Sequence, residues 1–137
     1  MLAQVLADES ATTATMHRVL ELGCGEVFDA QYGWLAFARE ARNTRLMVTA
    51  VARRAAERAD GPAAAEHALR AALVMVPTAE VLWRDRLRLV ARHEPARVGT
   101  VVTEMYSVLE ARGVRHEPET DALVAELAPE LGRAAGA

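Results

Sequence analysis

The sequence predicts an all-α fold, and three observations lead there. Apolar residues recur at steps of three, four and seven along most of the chain, the spacing of one helix face. No sustained alternating stretch of the kind a half-buried strand needs interrupts them. Finally, 52% of the 137 residues are hydrophobic but only 4% are aromatic, so the core has to be built from Ala, Leu and Val. Ala and Leu are strong helix formers. The expected architecture is five to seven helices in antiparallel hairpins, a TPR-like right-handed solenoid or bundle. It forms a single domain over residues 1–131, with 132–137 a frayed tail.

Each element has its own signal. Leu2, Val5 and Leu6 suggest a short first turn or helix, followed by the polar stretch Asp8–Thr13. Ser10 is placed to cap a helix from Ala11 to about Leu22, with Met16, Val19 and Leu20 on one face and Gly23 as the stop. Gly23–Phe28 reads as a turn that drops Phe28 into the core. The longest element runs from Tyr32 or Trp34 to Ala59, with Trp34, Phe37, Ala41, Val48, Val51 and Ala55 on one face. Asp60, Gly61 and Pro62 end it.

Three further helices are expected. Ala63–Val76 turns Ala65, Leu69, Ala72, Leu73 and Val76 inward, and Ala79–His93 does the same with Leu82, Trp83, Leu87 and Val90. Ala96–Arg112 buries Val98, Val101, Val102, Met105, Val108 and Leu109, with Gly113 as its C-cap. A loop then runs through Pro118, and Leu123, Val124 and Leu127 mark a last helix before Pro129. Ala63 and Ala96 lie 33 residues apart, close to the 34-residue TPR period. Where a TPR carries small residues in its first helix, this chain has Arg53 and Arg86. The pattern is therefore TPR-like rather than a TPR array.

Composition narrows the function classes. All sixteen basic residues are Arg, Ile is absent and Asn43 is the single asparagine, a bias expected of a GC-rich, actinobacterial genome. A net charge of −3 offers no global attraction for nucleic acid, so direct nucleic-acid binding is not expected. Cys24 stands alone, no apolar run spans a bilayer, and the first residues lack a basic start and apolar block. Cytoplasmic localisation is the expectation.

From Met16 to Leu131 the order of features resembles the bacterial transcriptional activator domain, a TPR-like helical module. The similarity starts with Leu22, Gly25 and Phe28, continues through the helix led by Trp34, the Val76-Pro77 ending and Glu80 with Trp83. It closes on Gly113-Val114 and Glu117-Pro118-Glu119-Thr120 with Leu123, the most specific part. That family occurs beside winged-helix domains in antibiotic-pathway regulators and in actinobacterial proteins with a LysM module. The runs Tyr32–Trp34 and Val81–Asp85 are similar to the second group. The resemblance implies a regulatory, oligomerising or partner-binding role with no catalytic residues to carry over.

The chemistry-bearing residues agree with that expectation. His17, His67, His93 and His116 fit no metal-ligand spacing, and His116 with Glu117 and Glu119 reads as a solvated loop. Ser10 and Ser107 lie in no nucleophile elbow. Cys24, one or two turns from His17, reads as a small hydrophobe. No catalytic residue, metal or cofactor is expected. Arg84, Arg88 and Arg92 form a basic stripe at steps of four, partly balanced by Glu80 and Asp85 on the same helix. With Trp83 they are the candidate contact for a protein partner with an acidic or phosphorylated segment. Homo-oligomerisation through Leu2, Val5 and Leu6 is expected alongside. The alternatives are the signalling half of a transcription regulator without its DNA-binding part, or a helical ligand-binding protein or small enzyme.

Overall fold

The computed structural model describes residues 34–131, with side chains from residue 39 onward. Readings that fall on the first 33 residues, including Leu2, Ser10, His17, Cys24 and Phe28, lie outside the described residues, as does the tail. The described residues are all-α. They form α1 (Trp34–Glu57), α2 (Pro62–Met75), α3 (Glu80–His93), a 3-10 turn (Pro95–Arg97), α4 (Val98–Ala111) and α5 (Pro118–Leu127), with no strand among them.

Among the described residues the expected helix faces are largely buried, with Ala41, Val108 and Leu127 only half-buried. On α1, Val48, Val51, Ala52 and Ala55 are fully enclosed; the side chains of Trp34 and Phe37 lie outside the described ones. Ala65, Leu69, Ala72 and Leu73 of α2 and Val76, its C-cap residue, are all buried, as are Leu82, Trp83, Leu87 and Val90 of the next helix. Alanines dominate the buried faces of α1 and α2 (Ala52, Ala55, Ala65, Ala68, Ala72), and small contact residues let two helix axes approach closely.

Helix ends follow local chemistry. Pro62 sits in the first turn of α2 and Pro118 in that of α5, where a missing N–H leaves no intrahelical bond unmade. α4 ends in a Schellman motif: Val114 N–H bonds the Leu109 carbonyl at 3.1 Å and Gly113 N–H the Glu110 carbonyl at 3.0 Å. Gly113 takes φ 64° there, a left-handed backbone that costs glycine little. Two expectations need correcting. Pro118 begins α5 and is not part of the loop, because Glu117 is extended and a proline with an acidic first turn starts a helix well. The fourth helix also starts later than Ala96, at Val98, since Pro95–Arg97 wind as a 3-10 turn.

The helices pack in an alternating order. α1 lies on α2, α2 on α3 and α3 on α4, while α3 also touches α1 and α5. The links at residues 58–61 and 76–79 are only four residues long, so α1, α2 and α3 must double back on one another. Polar ties join elements about one hairpin apart in sequence. Arg45 Nη2 donates to the Thr78 carbonyl at 2.6 Å, and Arg53 Nε to Asp85 at 2.7 Å. Glu117 N–H donates to Glu80 at 2.9 Å. Among the described residues, α3 is the helix that all the others touch.

Candidate functional site

The α3 period of 3.6 sends its polar residues in different directions, and their fates differ accordingly. Trp83 is 2% exposed, and its indole Nε1–H donates to the Pro77 carbonyl at 2.9 Å. It is a core anchor at the bottom of an open groove of about 520 Å³ that also includes Arg70, Val74 and Val108.

Arg86 is the residue that sequence reasoning undervalued. It is 3% exposed, with Nε bonded to Glu66 of α2 and Nη1 to Glu104 of α4, both at 3.0 Å. Its guanidinium carbon lies 5.5 Å from the centroid of the Trp83 ring, within cation–π range. Glu66 also accepts a bidentate pair of bonds from Arg97 at 2.9 and 3.0 Å, and Arg97 reaches Glu94 at 2.9 Å. Glu94, Arg97, Glu66, Arg86 and Glu104 thus form one charge chain through α2, α3, the 3-10 turn and α4. A partial signal was legible: Glu66 stands three residues before Leu69, on the apolar face of α2.

Hydrogen bonding from Arg97 holds the Glu66 carboxyl below its ordinary value of 4.5, with burial opposing and Arg86 assisting. A carboxyl lowered in the folded state binds its proton more readily once unfolded. Its contribution is therefore complete above the unfolded value and lost as pH falls through the folded one. Stability measured by denaturant titration should be flat from neutrality to about pH 5 and fall below the ordinary carboxylate range. In Glu66→Gln that acid-side loss should be smaller. An unchanged pH profile in the variant would show that Glu66 is not a source of the acid sensitivity.

The basic stripe does not act as a unit. Arg84 Nη1 binds the Glu117 carboxylate and, at 2.9 Å, the hydroxyl of buried Thr120. It therefore fastens α5 to α3. Glu80, the partner expected for Arg84 one turn earlier, instead accepts the Glu117 backbone N–H. Arg88 makes the expected pair with Asp85 at 3.4 Å, and both Arg88 and Arg92 are exposed. These two line a shallow groove of about 290 Å³ with Arg53 and Asp85, where half-buried Leu89 and Ala56 supply apolar surface. Arg92 makes no hydrogen bond or ion pair among the described residues. Trp83 and the Arg88/Arg92 pair belong to two separate grooves.

His116 joins a different cluster from the one its neighbours in sequence suggested. Its Nδ1 lies 3.6 Å from Asp121, and its ring centroid is 4.6 Å from that of Tyr106. The Tyr106 hydroxyl donates to the same carboxylate at 3.1 Å. Burial first, and then Asp121, push the Tyr106 phenol up to about 12. Among the described residues no three His, Cys, Asp or Glu side chains come together as metal ligands. No family model, curated protein or solved structure matches the chain.

Proposed function

We propose that this chain is a non-catalytic interaction module of TPR-like stacked hairpins that docks an acidic segment of a protein partner in a regulatory setting. One observation carries the reading: Arg88 and Arg92 stand exposed on the wall of a groove with half-buried Leu89 and Ala56 beneath. A groove of this composition offers charge-assisted bonds at its rim and apolar burial below. The helix order, with polar ties 33 and 32 residues apart from α1 to the α2–α3 link and to α3, supports the TPR-like description. The regulatory setting rests on the likeness to the bacterial transcriptional activator domain drawn above. Residence in the cytoplasm and homo-oligomerisation belong to the same proposal. Val74, 69% exposed, gives self-association apolar surface to use. No helix among the described residues is long and apolar enough to cross a membrane.

The test is capture of partners from source-cell extract by the tagged wild type and by Arg88→Ala/Arg92→Ala. Arg84 is left alone, because losing it would detach α5 from α3. Two exposed charge-assisted contacts of about 1 kcal/mol each should lower retention roughly tenfold or more. Added salt should weaken wild-type capture, because exposed charges are screened. Equal recovery by both proteins, with equal salt sensitivity, would leave Arg88 and Arg92 as solvated surface only.

A further inference from the structure

A cleft that meets the Trp83 groove at Pro77 and shares no residue with the Arg88/Arg92 groove carries a more specific assignment. It lies between α1 and the α2–α3 link, encloses about 650 Å³, and is lined by Arg42, Arg45 and Arg112 around Leu46, Met75 and Pro77. No acidic residue is among the described residues that line it, although the whole chain has a net charge of −3. Arg45 spends one donor on the Thr78 carbonyl at 2.6 Å. The guanidinium groups of Arg42 and Arg112 make no hydrogen bond or ion pair among the described residues. Leu46 is 63% exposed beside them. Uncompensated positive charge around an apolar floor repels itself, and a ligand supplying carboxylates and apolar side chains together removes both costs.

We propose that this cleft docks an acidic amphipathic segment of a partner protein, with its apolar side chains on Leu46, Met75 and Pro77. Its carboxylates then meet Arg42, Arg45 and Arg112. The inference rests on the reading of the chain as an interaction module, but uses a different surface from the Arg88/Arg92 groove. Two other occupants fit less well. A second copy presenting the same face would set arginine against arginine. A single-stranded nucleic acid would lack stacking platforms, since no aromatic residue is among the described residues that line the cleft.

The experiment uses the full chain and a fluorescein-labelled amphipathic peptide bearing leucines on one face and glutamates along its flanks, read by anisotropy. The same peptide with glutamines for the glutamates is the control. The wild type should bind the glutamate peptide roughly tenfold more tightly than the glutamine one, with an affinity that falls as salt rises. Arg42→Glu/Arg112→Glu should lose binding, and Leu46→Ser should weaken it. Arg88→Ala/Arg92→Ala should bind like the wild type. All these positions are exposed, so folding should survive, with circular dichroism as the check. Absence of wild-type binding, equal binding of the two peptides, or unchanged binding by Arg42→Glu/Arg112→Glu would overturn the assignment. Loss of binding in Arg88→Ala/Arg92→Ala alone would move the acidic ligand to the other groove. Failure here leaves extract capture through Arg88 and Arg92 intact, so the two proposals fall separately.

Discussion

Replacing Arg86 with alanine should destabilise the protein by about 3 kcal/mol, the lower end of what breaking a buried charge pair costs. Arg86 is almost wholly enclosed and is the shared partner of Glu66 and Glu104. Removing it leaves Glu66 in the core with Arg97 as its cationic partner, whereas Glu104 is half exposed and can turn to water. In a chain of this size the loss should lower the melting temperature by roughly 10 °C. Arg86→Met keeps the apolar stem but not the charge, so it should lose nearly as much. Adding Glu66→Met to it should restore part of the stability, because the second change removes the buried charge left behind. Strict additivity of the two changes would show that they do not share a network.

Trp83→Ala should have an effect of about 3–5 kcal/mol through lost burial and the cavity left in its place. The indole is 2% exposed, bonds the Pro77 carbonyl, and supports the Arg86 guanidinium. Trp83→Phe keeps a ring but drops the N–H donor, and should cost about 1–2 kcal/mol. Thermal melts followed by circular dichroism check both. The outcome separates two roles for this tryptophan. A surface hot spot would leave the melting temperature unchanged and impair binding alone, whereas a core anchor shifts the melt by many degrees.

The helices were legible in the sequence because burial follows the 3.6-residue period. Val48, Val51 and Ala55 occupy the face their spacing indicated, and so do Ala65, Leu69, Ala72 and Leu73 of α2. The start of α5 was less visible. Its first turn is polar (Glu119, Thr120, Asp121), so the apolar pattern begins only at Leu123, and the signs of an earlier boundary were Pro118 and the acidic Glu119. The charges divide in the same way. The Asp85–Arg88 pair lies within one turn and could be anticipated from spacing. Arg84 finds Glu117 at a separation of 33 residues, and Arg86 finds Glu66 at 20. Spacing within a single helix says nothing about such partners; only the packing of α2, α4 and α5 around α3 chooses them. A stripe of three arginines in sequence therefore became one structural tie and two exposed cations.

If the groove walled by Arg53, Arg88 and Arg92 seats an acidic partner, a photoreactive residue on its rim should capture that partner directly. Glu57 is exposed and lines the groove, so benzoylphenylalanine can replace it without entering the core. Irradiated in source-cell extract, the labelled chain should give an adduct with a defined protein. That adduct should fade as salt rises and disappear when Arg88→Ala/Arg92→Ala is added. No adduct, or an adduct indifferent to both salt and the arginines, would contradict docking at this groove.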